Sequence, residues 1–166
     1  VFSWKSFDAG TRLLLETVQI RETDRILDIG CGYGIIGAYA ARRAKRGCAT
    51  LVDVNVVACE CARKTIAKND IECATVVLGD VLPPTSEEAF SLVLSNPPFH
   101  TGHAVARDTA RAFIRGAYRA LAPQGRLAIV ANRFLPYDAA IEEMFGSVSI
   151  LRRTSRYHVM EAQKRS

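Results

Sequence analysis

Short β-type apolar runs alternate along this chain with longer amphipathic stretches, and few architectures accept that alternation. RILDIG (25–30) precedes IIGAYAARRAKR (35–46), whose apolar residues recur at helical spacing. CATLVDV (48–54) precedes VVACECARKTIAKND (56–70), where Asn69 and Asp70 are stop signals. CATVVLGD (73–80) and FSLVLS (90–95) predict two more strands around a Pro/Ser-rich loop. A long helix from about His103 to Leu121 leads through APQG to a fifth strand, GRLAIVAN (125–132), and a helix, DAAIEEMF (138–145). SVSILRRT and RYHVMEA predict a closing hairpin that turns around Ser155. Strands spaced by helices of this length form a parallel sheet covered on both faces. The expectation is an α/β, doubly wound, seven-stranded, mostly parallel sheet with a terminal antiparallel hairpin, formed as one domain over 1–166. Ligands of such sheets bind outside the carboxyl ends of the strands, at the topological switch point. That confines the search for chemistry to 28–34, 53, 79–81 and 95–100.

At 166 residues, 49% hydrophobic and 23% charged, the chain can bury one sizeable core, and collagen-like, disordered and disulfide-scaffold classes are excluded. No stretch approaches the roughly 20 apolar residues of a membrane span, and VFSWKSFDAG lacks the apolar core of a signal peptide. Because the sequence starts at Val1 rather than Met, a trimmed chain or one domain of a longer protein is expected. A net charge of +5 favours a polyanionic partner without requiring one. The five cysteines contain no CxxC pair, and Cys59 and Cys61 lie about 200° apart around a helix. Reduced cysteines, no metal and a cytoplasmic location are the corresponding expectations.

The first strand ends in Asp28-Ile29-Gly30-Cys31-Gly32-Tyr33-Gly34, a tight turn that lets a ligand approach the backbone at a helix N-terminus. Gly32-x-Gly34-x-x-Gly37 also satisfies the dinucleotide pattern, with Asp53 following Gly32 by 21 residues. Asp28 separates the two readings. A carboxylate before the first glycine repels a pyrophosphate, whereas S-adenosylmethionine offers an ammonium and a sulfonium there. Gly30, Gly32 and Gly34 with Asp28 therefore favour S-adenosylmethionine over a nicotinamide cofactor. Asp53, followed by Val54, closes the second strand, and its two oxygens can accept both ribose hydroxyls. Asp80 can accept from an adenine amino group, and Val81 can supply a backbone N–H.

The fourth strand runs into Asn96-Pro97-Pro98-Phe99-His100. Two prolines stiffen the turn and leave the Pro97 carbonyl free to accept; Asn96 adds an uncharged acceptor. Together they can take both hydrogens of one exocyclic amino group while Phe99 stacks on the ring. Such a nitrogen is a poor nucleophile because its lone pair is delocalised. Two acceptors draw it towards sp³ and stabilise the cationic product, so orientation and electrostatics carry the reaction without a tuned base.

DIGCGYG, Asp53, Gly79-Asp80 and SNPPFH resemble the class I, Rossmann-like S-adenosylmethionine-dependent methyltransferases. The likeness is greatest to the methyltransferase-small domain of ribosomal RNA guanine-N2 methyltransferases. It extends through FDAGTRLLLE (7–16), IRGAYRAL (114–121) and GRLAIVANRFLPY, covering essentially the whole chain. The resemblance implies that Gly30, Gly32 and Gly34 carry the methionine moiety, Asp53 the ribose, Asp80 and Val81 the adenine. It also implies that Asn96 to Phe99 receive the target base, and that the partner is ribosomal RNA or a ribosomal subunit. Small-subunit members usually carry a second, degenerate domain ahead of this one, which this sequence does not contain. NPPF alone is shared with methyltransferases of adenine N6 and of protein glutamine, which remain alternatives. A non-catalytic S-adenosylmethionine- or RNA-binding module is the alternative of another class.

Arg107, Arg111, Arg115 and Arg119 recur every four residues, either as a track for a phosphate backbone or as a solvated helix face. Arg107, with Pro98, Phe99 and His100, is the expected substrate contact. Arg152, Arg153 and Arg156 are similarly open, and Lys164-Arg165 is expected to be a frayed tail. Phe2, Trp4 and Phe7 within the first 20 residues form either a lid over the site or a packed segment.

Overall fold

The computed structural model describes residues 8–80, 89–97 and 103–165. The elements are α1 (Ala9–Thr17), β1 (Arg25–Ile29), α2 (Ile35–Arg43), β2 (Cys48–Asp53), α3 (Val56–Lys68) and β3 (Ala74–Leu78). They continue as β4 (Phe90–Ser95), α4 (His103–Ala120), β5 (Leu121–Asn132), α5 (Tyr137–Phe145), β6 (Ser149–Arg153) and β7 (Tyr157–Gln163). One sheet has the order β3-β2-β1-β4-β5-β7-β6, parallel from β3 to β5, with β7 antiparallel to both its neighbours. The order turns back between β1 and β4, which is the switch point of a doubly wound sheet.

Strand periodicity divides the core. Leu27, Ile29 and Val93 join Phe113, Ile114, Ala117, Ile141 and Phe145 of α4 and α5 on one face. Ile26, Leu92 and Leu94 join Leu13, Leu14, Ile36, Ala40 and Ala62 of α1, α2 and α3 on the other. In α4 the buried Ala110, Phe113, Ile114 and Ala117 follow the i, i+3, i+4, i+7 spacing of an amphipathic helix.

Four local features differ from the sequence reading. Residues 9–17 form a helix, capped by the Asp8 carboxylate on the Thr11 N–H at 2.9 Å. β5 begins at Leu121, four residues early, with an irregular register against β4 between Phe90 and Leu92. Cys48 and Cys73 are joined as a disulfide rather than free, because the β2–β3 register pairs Ala49 with Ala74 and sets the preceding residues side by side, Cα atoms 4.9 Å apart. Lys164 is buried rather than frayed: its Nζ donates to the Leu121 carbonyl at 2.7 Å and lies 4.8 Å from the Tyr118 ring centre.

Candidate active site

The β1 and β4 ends open onto a crevice of about 520 Å³, mouth included, lined by Asp8, Thr11, Gly30, Cys31, Gly32, Tyr33, Ile35, Ile36, Asn96 and Pro97. Its floor is held by backbone bonds. The Gly30 and Cys31 N–H groups both donate to the Val52 carbonyl, at 2.9 and 3.0 Å, and Gly34 donates to Cys31 at 2.8 Å. Gly30 and Gly32 have φ of +68° and +56°, and a Cβ at either would meet nothing within 4 Å. Their faces are open to a ligand. Gly34 turns the other way, where a Cβ would come within 2.9 Å of the Ala62 Cβ, so it packs α2 against α3. Gly37 serves the same end against Leu51 of β2.

Asp28 occupies an inward position of β1 otherwise suited to an apolar side chain, and it is fully buried behind the loop. The sequence reading sets it against the ligand, but it does not line the crevice. Its Oδ2 accepts the Gly37 N–H at 2.8 Å, while Oδ1 is buried with no partner. Burial, aided by the nearby Asp53 charge and only partly offset by the Gly37 N–H, raises its pKa from 3.8 to about 7. Burial and the carboxylates of Asp28 and Asp53 push the Cys31 thiol up, so it stays protonated and is no nucleophile at neutral pH.

Asp53 ends β2 half-buried. Its Oδ2 accepts from the Gly32 N–H and its Oδ1 from the Asn55 N–H, each at 2.9 Å, leaving further lone pairs to accept from a ligand. Beside it Val54, Val56, Val57 and Leu78 stay exposed, and Val54 shows 68% of its surface. Asp80 follows β3, exposed, at the same end of the sheet.

Asn96 leaves β4 just after Ser95, whose hydroxyl ties this strand to β1 by donating to the Ile29 carbonyl at 2.7 Å. The Asn96 Nδ2 donates to Asp8 Oδ2 at 2.6 Å and to Thr11 Oγ1 at 3.1 Å. Asp8, Thr11 and Tyr33 are site residues that the sequence reading passed over. An Asp ahead of an apolar helical run is an N-cap signal, but its reach to a residue 88 positions away has no local signature.

Val81, Pro98, Phe99 and His100 lie outside the described residues, as do the side chain of Arg107 and the whole of Phe2, Trp4 and Phe7. Of the arginine stripe, Arg111 is bound to Glu143 of α5 at 3.0 Å, which turns its charge onto the protein itself. Among the described residues no cluster of three or more His, Cys, Asp or Glu is placed to hold a metal, and no helix is long and apolar enough to cross a membrane.

A glycine cradle, an acidic residue at the end of the neighbouring strand and Asn96-Pro97 at the end of β4 stand together at the switch point of a doubly wound α/β sheet. The model of the methyltransferase small domain matches residues 1–161, and the chain belongs to that family. It is 40% identical over 162 residues to the ribosomal RNA small subunit methyltransferase C of Escherichia coli (strain SMS-3-5 / SECEC), covering 98% of this chain and 47% of that protein. The corresponding protein of Shigella flexneri serotype 5b is 39% identical over 162 residues, with the same coverage. Among solved structures, the T. thermophilus 16S rRNA N2 G1207 methyltransferase (RsmC) in complex with AdoMet and guanosine superposes with a TM-score of 0.85 at 30% identity, over 99% of this chain and 45% of that one. The chain thus spans about half the length of the relatives it matches.

Proposed function

We propose that this chain transfers a methyl group from S-adenosylmethionine to the exocyclic N2 amino group of a guanine in ribosomal RNA. The observation that carries the reading is the position of Asn96, its amide nitrogen bound to the protein and its oxygen without a partner among the described residues, across the crevice from the open Gly30–Gly32 cradle. The similarity to a guanine-N2 methyltransferase solved with AdoMet and guanosine supports the choice of cofactor and base.

The residues fit the cofactor. The cradle offers backbone with no Cβ in the way, and Asp53 offers acceptors to a ribose. The exposed Val54 and Leu78 offer an apolar surface to a purine, and Asp80 with Val81 the polar edge. Asp28, buried behind the loop with Oδ1 unpartnered and titrating near 7, is driven towards its charged form by a nearby cationic ligand and away from it by a pyrophosphate. When bound, S-adenosylmethionine supplies an electrophilic methyl carbon. The protein orients the nucleophile towards it. Asn96 Oδ1 and the Pro97 carbonyl accept the two amino hydrogens, concentrate the lone pair on nitrogen and stabilise the charge that develops there. The cationic amine is acidic enough to give its proton to water, so no tuned base is needed.

A basic and aromatic rim suits RNA. Phe134 is 73% exposed after β5, and the Arg133 guanidinium stands 4.7 Å above its ring. The Arg133 N–H donates to the Arg156 carbonyl at 3.0 Å, which brings the β6–β7 turn to the same rim. β5 runs parallel to β4, so the rim lies at the end of the sheet that carries Asn96. This reading implies a cytoplasmic location.

The test is incubation with methyl-labelled S-adenosylmethionine and ribosomal subunits from a strain lacking the gene, followed by nucleoside analysis. Label in N2-methylguanosine is expected. Label in N6-methyladenosine or in protein instead would overturn the choice of substrate, and none anywhere would overturn the activity of this chain.

A further inference from the structure

We infer that Asp8 and Thr11 are positioning residues that lock the Asn96 carboxamide with its oxygen presented to the target amino group. The inference rests on the methyl-transfer reading above, and it concerns how the acceptor is kept pointing the right way. The two orientations of a carboxamide are nearly identical in shape, so packing alone does not choose between them. Chemistry does. A carboxylate only accepts hydrogen bonds, so an amide 2.6 Å from Asp8 Oδ2 must turn its nitrogen to it. The other N–H of that nitrogen goes to Thr11 Oγ1 at 3.1 Å. Both donors of Asn96 are thereby spent inside the protein, and Oδ1 is what remains to meet a substrate. The flipped amide would set Oδ1 against the carboxylate and point donors at the donors of the substrate amine, failing twice.

The lock is built into the start of α1. The same Asp8 Oδ2 also accepts the Thr11 N–H at 2.9 Å, so the helix cap and the Asn96 anchor share one atom. Residue 10 must be small for them to meet: a Cβ at Gly10 would lie 3.2 Å from Asp8 Oδ2, 3.3 Å from the Tyr157 ring and 3.5 Å from Asn96 Nδ2. A negative charge on the amide nitrogen's side also polarises the carboxamide and makes Oδ1 a better acceptor.

A reciprocal exchange tests this. Asn96→Asp sets two carboxylates face to face and is expected to lower kcat about 100-fold or more. Asp8→Asn together with Asn96→Asp removes that repulsion and lets the residue-8 amide donate to the new carboxylate, giving up the Thr11 N–H cap on the shared atom, and is expected to recover at least about tenfold of that loss. Asp8→Ser keeps an N-cap for α1 but does not reach Asn96, so kcat should fall about tenfold, by more than S-adenosylhomocysteine affinity does, while melting temperature holds. Losses that merely add in the double variant, or a fall in melting temperature that accounts for the Asp8→Ser defect, overturn the lock. An inactive wild-type protein would overturn the methyl-transfer reading but not this one, which then rests on NMR. The Asn96 side-chain amide resonances should shift and lose exchange protection in Asp8→Ser, and unchanged resonances overturn the lock whatever the activity.

Discussion

Burial of Asp28 leaves one carboxylate oxygen on the Gly37 N–H and the other without a partner, and this holds its pKa at about 7 against an ordinary 3.8. In the unfolded chain the group loses its proton near the ordinary value, whereas the folded protein keeps it until about pH 7. Stability from this group is therefore greatest below about pH 4, falls as pH rises to about 7 and levels off above, a change of roughly 4 kcal/mol. The ligand-free Asp28→Asn variant should lack that decline, so its melting temperature relative to the parent should climb from pH 5 to pH 8. Parallel melting curves for the two would contradict the burial argument. At Asn96 the expectation concerns rate alone. Asn96→Ala removes one of two acceptors and should lower kcat about 100- to 1,000-fold, as loss of one preorganised dipole does elsewhere. Calorimetric affinity for S-adenosylhomocysteine should stay within a few-fold. The glycine turn of this site is local and could be read from sequence, as three glycines after a β-run, and so could the placement of Asn96-Pro97 at the end of another. What sequence did not reveal is which way the side chains face. Asp28 belongs to the inward series of β1 with Ile26, and Gly34 to the packing of α2, because register and helix docking decide both.

Along the elements, periodicity located each described strand and most described helices because the central strands are buried on both sides and the crossover helices are amphipathic. α1 escaped because Leu13, Leu14 and Leu15 are contiguous and carry no clear helical period, yet all three are buried. The Cys48–Cys73 pairing escaped because a separation of 25 residues has meaning only once β2 and β3 are in register. Arg126 shows the same limit. On β5 its alternation reads as an inward position, where a guanidinium is out of place. The structure pairs its two terminal nitrogens with Asp24 and Glu161, each at 3.2 Å, and the Gln19 carbonyl at 2.9 Å, leaving Nε buried without a partner, and so ties β5 to β7 and to the α1–β1 connection. Asp24 is almost fully buried, so Arg126→Ala strands its charge. A loss of about 3–5 kcal/mol is expected in urea unfolding, whereas Arg126→Met with Asp24→Asn should lose less. Equal losses in the two would show that packing, not charge, is what Arg126 supplies.

Over the whole molecule, a net charge of +5 gives only a bias, and the structure shows where that bias can act. The α4 stripe, the sequence's most regular basic feature, is partly neutralised through Arg111 and Glu143. The rim formed by Arg133, Phe134 and Arg156 is less conspicuous in sequence, because two of its residues precede β6 and the third follows it. It combines an exposed ring with guanidinium groups at the carboxyl end of the sheet, and the Asn132 Oδ1 holds the Phe134 N–H at 3.1 Å to fix the turn. Stacking and charge leave different signatures. Phe134→Ala should weaken RNA binding by about 1–3 kcal/mol, nearly independently of salt, because a lost base stack releases no counterion. Arg133→Gln and Arg156→Gln should each flatten the slope of log affinity against log salt by about one. S-adenosylhomocysteine binding should not move in any of the three, since none lines the crevice. Filter binding to ribosomal RNA across a salt series reads both effects together. Wild-type affinity and slope in all three variants would remove this rim from the RNA path.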